Sequence, residues 1–375
     1  MTGSAHNGPA PSFVESRTTP PVSLRRTAPP PSNHADQRPR SMTVITTSPI
    51  PQQGTRSAAS LVADIGGTNA RFALSNPLTG EFTHFRNLDC AGKTDLTELV
   101  QEYLLLTGLP APTQMCVALA GPITGDSCGL TNTDLRFSIS DVRRRLGLDR
   151  FEVINDFAAI ATAIPALSSE VLSPLGSARP RDDLPKAVVG PGTGLGMAGL
   201  LPDRGGWRVV TSEGGHTAAA PQSDFEEQVL HTLRERHGYV SAETICSGPG
   251  LVRTHAAISQ VFGVREEVLT AAQISERGMA GTDRVCTETL VLFCDQLAGV
   301  AVTAALTFNA RGGVYIGGGI PTHIADFLHR SNFRERFQKH PQMGDYLAGI
   351  ATVRITETNP GLIGAGKWLG SSVRL

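Results

Sequence analysis

Three glycine clusters carry the first chemical signal in this chain. Gly66 and Gly67 follow the apolar run LVADI, Gly190 to Gly196 follow KAVV, and Gly317 to Gly319 close GGVYI. Glycine permits positive φ and close approach of the backbone, so successive amides can face one anion. Each cluster taken alone reads first as a tight turn at a strand end. Two of them, however, hold a threonine among the glycines, Thr68 and Thr193, whose hydroxyls would add side-chain donors to a backbone cradle. Together the three point to the phosphate chain of a nucleotide. The first cluster also follows an acid, Asp64, that a plain hairpin would not need.

Two better-known phosphate motifs fail on their residues. GLIGAGKW, Gly361 to Trp368, has the spacing of a P-loop, but a tryptophan stands where a hydroxyl must reach magnesium. Its glycines read instead as helix packing. GPGTGLG lacks the glycine order of a dinucleotide fingerprint, and no acid follows in a suitable strand at the distance a ribose contact needs.

The elements that must position these loops alternate between short apolar runs and helical patterns, which predicts an α/β fold. LVADI and ARFAL read as strands joined at Gly66 and Gly67, and QMCVALAGPI as a strand entering a loop. SISDVRRRLG reads as a short helix capped by Ser140 and closed by Gly147. FEVINDFAAIATAI passes from strand through Asn155 and Asp156 into helix. KAVVGPGTGLGMAGLL is strand, loop, strand, and SDFEEQVLHTLRERHG is a helix with a capping box from Ser223 to Glu226 and a stop at Gly238. Asp283 to Phe308 forms one long helix, and a last helix opens at Asn359 and Pro360.

Composition narrows the setting. In 375 residues, 40% hydrophobic, there is material for a large core, and 33 basic against 34 acidic residues give no general attraction to nucleic acid or an anionic membrane. The six cysteines form no CxxC pair, and the most apolar stretch, Leu297 to Phe308, falls short of the ~20 residues a membrane span requires. A cytoplasmic protein that uses no membrane and no nucleic acid is expected. Residues 1–58, rich in Pro, Ser, Thr and Arg with only Glu15 and Asp36 as acids, predict a disordered extension. A transit-like address, or a start at Met42, are the alternatives.

The motifs ADIGGTNARFAL, AGPITGD, INDFAAIATAIP, GTGLGMAGL, SEGGHTAAAP, SAETICSGPGLV and NPGLIGAG resemble, in this order, those of the ATP-dependent bacterial glucokinases, within the actin-like superfamily of sugar kinases. The resemblance runs from about residue 60 onward. It implies an α/β fold of two ribonuclease-H-like domains flanking a cleft: a smaller one over 59–166, completed by the C-terminal helix 358–375, and a larger one over 167–357. It implies transfer of the γ-phosphoryl of ATP to the 6-hydroxyl of D-glucose with Mg2+, and a homodimer is the expected assembly. ATP would lie on Asp64, Gly66, Gly67, Thr68, Asn69, Gly192, Thr193, Gly194 and Gly318, with Asp64 near the magnesium through water.

Such a transfer needs a carboxylate to accept the hydroxyl proton. Asp156 fits, at the C-terminal end of a strand where α/β folds place their sites, although on pattern alone it reads equally as the cap of the next helix. Asn155, Asp156, Glu213, His216 and Glu243 align with the family's sugar-binding positions and supply the carboxylates, amide and imidazole that reading a hexose's hydroxyls calls for. Two stretches depart from the pattern: TAAAP after Gly215-His216, and Leu135-Arg136 where a tryptophan is expected. No cysteines follow His216 before Cys246, unlike the zinc cluster of the related ROK kinases. A sugar-sensing regulator would carry a DNA-binding helix-turn-helix ahead of the kinase region, and 1–58 shows no helical periodicity. A kinase for another hexose or an aminosugar remains a reading that spacing alone leaves open.

Overall fold

A computed structural model describes residues 59–76, 79–130 and 133–370; the Pro-rich segment 1–58 and both readings of its start lie outside them. Three strands, β1 (Ser60–Ile65), β2 (Asn69–Ser75) and β3 (Phe82–Asp89), form an antiparallel meander. Helix α1 (Leu96–Thr107) returns the chain to β4 (Gln114–Leu119), parallel to β1. A small ribbon of β5 (Ile123–Thr124), β6 (Ser127–Gly129) and β7 (Arg136–Ser138), then α2 (Ile139–Leu146), leads to β8 (Arg150–Asn155), parallel to β4. The sheet order is β3-β2-β1-β4-β8.

The second sheet repeats this plan. After the edge strand β9 (Leu172–Pro174), β10 (Lys186–Pro191), β11 (Leu195–Asp203) and β12 (Gly206–Ser212) make another meander. The strands β13 (Gly313–Ile316) and β14 (Thr352–Ile355) add in parallel, giving β12-β11-β10-β13-β14-β9. The first two glycine clusters thus occupy the same joint, the turn between the first two strands, in each sheet.

β1 is central in its sheet and covered on both faces, so Leu61, Val62, Ala63 and Ile65 are all fully buried and the strand reads as a continuous apolar run. On one face Val62 joins Cys116, Ala118 and Ile154 in an apolar cluster that also takes in Val188, Ala198 and Tyr315 from the second sheet. Two helices share that layer: α3 (Asp156–Ala163), which follows β8 without a loop, and the C-terminal helix Pro360–Gly370. The glycines of GLIGAGKW do serve packing. A Cβ on Gly361 would stand 2.8 Å from the Asp64 carboxyl carbon, one on Gly364 1.7 Å from the Ala159 carbonyl oxygen, and one on Gly366 2.6 Å from Ser75 Oγ.

Helices α4 (Asp224–His237), α5 (Ala242–Ile245), α6 (Gly248–Val261), α7 (Ala271–Ala280) and α8 (Arg284–Thr307) lie between β12 and β13 in the chain. With 24 residues, α8 is longer than its most apolar part and would pass for a membrane span by length and composition, yet 67% of its apolar window is buried within the protein.

One expected cap is corrected, and one expected capping box is only half made. Ser138, not Ser140, caps α2, its hydroxyl accepting from the Asp141 amide at 3.1 Å. Ser140 instead gives its amide and hydroxyl to Asp126. On α4 the Ser223 hydroxyl accepts from the Glu226 amide at 3.3 Å, but the reciprocal half of the box is missing. The buried Glu226 carboxylate is drawn away by Gln222 N at 2.7 Å, Gln296 Nε2 at 2.9 Å and the Arg336 guanidinium.

Candidate active site

The junction of β8 and α3 separates the two readings of Asp156. Asn155 is the helix cap, its Oδ1 accepting from the amides of Phe157 at 2.9 Å and Ala158 at 3.2 Å. That leaves Asp156 as the first helical residue, its Oδ1 accepting from Phe157 N at 3.0 Å and its carboxylate also facing its own amide. Burial, then the Asp64 carboxylate, then Glu213 push the Asp156 carboxyl up to about 7. A carboxyl pushed toward neutrality suits a general base.

Asp64 sits directly across the first hairpin from Arg71, whose guanidinium approaches its Oδ2 at 3.5 Å. Burial raises this carboxyl too, and Arg71 works against the rise. In the turn that follows, Gly66 N donates to Asn69 O at 3.0 Å and Cys90 N to Thr68 O at 3.0 Å. Asn69 Oδ1 accepts from Asn87 at 3.0 Å. Among the described residues nothing accepts from the amides of Gly67 and Thr68 or from the Thr68 hydroxyl, and both residues face solvent. A cavity of about 260 Å³ opens beside them, bounded also by Cys90, Lys93, Thr133 and Asp134.

In the second turn Gly192 N donates to Gly194 O at 2.8 Å, which turns the exposed Thr193 outward, and Gly248 N donates to Gly192 O at 2.8 Å. The third cluster buttresses it. Gly318 has φ +94°, and a Cβ there would stand 2.3 Å from the Pro191 carbonyl oxygen, so only glycine fits. Gly190 and Gly196 lie in the strands that flank this turn rather than in the turn itself. They face each other across β10 and β11, and a Cβ on either would strike the Phe157 ring, at 2.8 Å and 1.8 Å. Their notch seats the residue next to Asp156, fastening α3 to the second sheet.

Glu213, His216 and Glu243 gather around one imidazole. His216 Nε2 lies 3.9 Å from Glu213 Oε2, and its Nδ1 lies 3.9 Å from Glu243 Oε1, spacings too long for hydrogen bonds. Glu213 is 89% exposed and His216 59%, so both remain open to a ligand. Glu243 lies in the first turn of α5, which a Ser241–Thr244 capping box holds, and its Oε2 accepts from the Leu195 amide at 2.8 Å. The departure TAAAP pairs there too, Ala218 bridging to Ser241. At the other departure Leu135 is fully buried, and the Arg136 guanidinium donates to the carbonyls of Thr133 at 3.0 Å and Leu135 at 2.7 Å, pinning the loop beside the cavity.

The residues expected from sequence therefore collect in two groups. Asp64, the first turn and Asp156 belong to the first sheet, whereas the second and third turns with Glu213, His216 and Glu243 belong to the second. Phe157, and the charge effects of Asp64 and Glu213 on Asp156, connect them. Arg71, Phe157 and Leu195, whose amide bonds Glu243, were not among the expected residues. The observed register centres the turn on Gly67-Thr68 and so sets Arg71 opposite Asp64, whereas a joint at Gly66-Gly67 would have set Asn69 there.

Comparison with known proteins fits this geometry. The Glucokinase family model matches residues 61–372. The chain is 41% identical over 314 residues to a glucokinase of Aromatoleum aromaticum, covering 84% of this chain and 95% of that one. The solved glucokinase of an Antarctic psychrotroph has a TM-score of 0.75 at 38% identity, covering 83% of this chain and 98% of the other. A ROK family glucokinase from Streptomyces griseus, solved with glucose and AMPPNP, shares the fold at a TM-score of 0.56 and 17% identity, over 83% and 98% of the two chains. With turns, acids and imidazole arranged as described and the match spanning nearly all described residues, the chain belongs to the glucokinase family.

Proposed function

We propose that this protein transfers the γ-phosphoryl of ATP to the 6-hydroxyl of D-glucose, with Asp156 as general base. The reading rests chiefly on one observation: Asn155 caps α3, so Asp156 stands at its first position with a carboxyl that burial first, then Asp64 and Glu213, push up to about 7. Glu213, His216, Glu243 and Asn155 would hold the sugar hydroxyls so that one of them meets Asp156. The amides of Gly67, Thr68, Thr193 and Gly194 would hold the phosphates, with Asn69 and Gly318 shaping the turns and Gly192 closing the second.

Magnesium suits the same residues. Among the described residues no cluster of three or more His, Cys, Asp or Glu side chains could hold an ion by itself. An ion that keeps its waters and leans on one carboxylate plus substrate phosphates needs only Asp64, 20% exposed and with only a long contact to Arg71. When bound it would neutralise charge on the phosphate oxygens. The two sheets are taken as the cores of two domains, 59–166 with the C-terminal helix and 167–357, closing on the sugar and shielding the acceptor from water. A cytoplasmic homodimer is the assembly we favour.

The test is a coupled assay with ATP and glucose, mannose, fructose or glucosamine. Glucose is expected to give the highest kcat/KM; no turnover with any of them refutes the kinase reading, and preference for another sugar refutes the substrate. Asp156→Ala should lower kcat by several orders of magnitude while changing glucose affinity far less, since a base acts mainly in the transition state. Retained turnover would remove its role.

A further inference from the structure

The end of the second glycine turn is held from both sides by the groups assigned to the sugar. The Leu195 amide donates to Glu243 Oε2 at 2.8 Å, while the other oxygen of that carboxylate faces the His216 ring. The Leu195 carbonyl lies so close to the turn carrying Glu213 and His216 that a Cβ on Gly215 would stand 1.9 Å from its oxygen. A second tie runs in parallel, Gly248 N donating to Gly192 O, and Gly248 belongs to the segment that directly follows α5. One residue, buried and on the main chain, therefore touches the phosphate turn and both arms of the sugar cluster.

We propose that Leu195 is a positioning residue coupling the two substrates. Phosphates settling on Gly192–Gly194 align the Leu195 peptide, which fixes the Glu243 carboxylate on one side and the Gly214–His216 turn on the other. Each substrate then binds more tightly when the other is present. The link runs within the second sheet and its helices, so it does not depend on closure of one domain on the other. The proposal builds on the kinase reading, because it takes the turn as the phosphate site and the cluster as the sugar site.

Gly194 gives the discriminating variant. A Cβ there would stand 2.6 Å from Glu243 Oε2, the movable end of a side chain, so Gly194→Ala pushes the carboxylate off the Leu195 amide. The control is Gly299, on the exposed face of α8, which has nothing within 4 Å of its Cβ position. Glucose binding is measured by calorimetry on the full chain, without nucleotide and with saturating AMPPNP and magnesium. Wild type should bind glucose about 5-fold or more tightly with the nucleotide, a typical coupling. In Gly194→Ala the nucleotide-free glucose affinity should fall several-fold and the coupling ratio approach one, whereas Gly299→Ala should leave nucleotide-free glucose affinity and the coupling ratio unchanged.

The reverse arm tests reciprocity, since binding free energies must couple symmetrically. Glu243→Ala, in the sugar cluster, should weaken AMPPNP binding measured without glucose. Melting curves confirm that each variant is folded. A coupling ratio retained in Gly194→Ala, equal losses in both glycine variants, or unchanged AMPPNP affinity in Glu243→Ala would overturn the proposal. Absence of glucose binding by the wild type would instead sink the sugar-kinase reading.

Discussion

At the residue scale, the chemistry turns on Asp156. Its carboxyl is held up to about 7, by burial first and the neighbouring acids second, so below that pH the base carries a proton. The acid limb of kcat/KM for glucose should accordingly bend near pH 7 and fall about tenfold per unit below it. Glu213→Gln removes one of the raising charges and should move that limb to lower pH; an unmoved limb in a pH–rate series would show that Glu213 does not act on Asp156. The same shift bears on stability. The folded-state value lies above the ordinary 3.8, so the contribution is fully present below that pH and lost as pH rises through 7. Asp156→Asn should therefore be more stable than wild type at pH 8, by about 1 kcal/mol or more, with the gain shrinking toward pH 4. Urea titrations at both pH values check this. Asp64 and Thr68 stood out in the sequence by type and by their place beside glycines, whereas Asp156 read equally as a helix cap and Glu243 was singled out through the family resemblance. Phe157 and Leu195 were not, because one acts through the shape of a ring and the other through its main chain. Neither property is written in residue type.

At the scale of elements, a glycine's meaning depends on what packs against it. The pattern alone could not tell Gly190 and Gly196, which seat Phe157, from Gly192 and Gly194 in the turn between them. It did identify the C-terminal glycines as packing residues, because Trp368 ruled out the rival reading. Two substitutions measure the difference. Gly364→Ala would drive a methyl into the main chain of α3 and should cost about 2 kcal/mol or more. Gly299→Ala, on the exposed face of α8 with nothing within 4 Å, should instead stabilise by up to about 1 kcal/mol, the helix preference of alanine. Chemical denaturation of both variants should give opposite signs. The caps show why local signals mislead by a residue or two. Ser138 and Ser140 are both plausible on local grounds, and the choice fell to Asp126, brought alongside by the small ribbon.

At the scale of the whole molecule, α/β alternation was readable from the sequence, but the repetition of one strand order in both sheets was not, since pairing between distant strands leaves no local mark. If two domains close on the sugar, small-angle scattering with saturating glucose should show a smaller radius of gyration than without it; an unchanged radius would remove closure from the scheme. The last helix has a further consequence for synthesis. Residues 360–370 cover the apolar side of β1 and α3 and abut Asp64, so during translation the bed of both acids stays open until that segment leaves the ribosome. A nascent or prematurely terminated chain would own every phosphate turn yet lack the brace behind its acids. It would present an oily surface to chaperones before it could consume ATP.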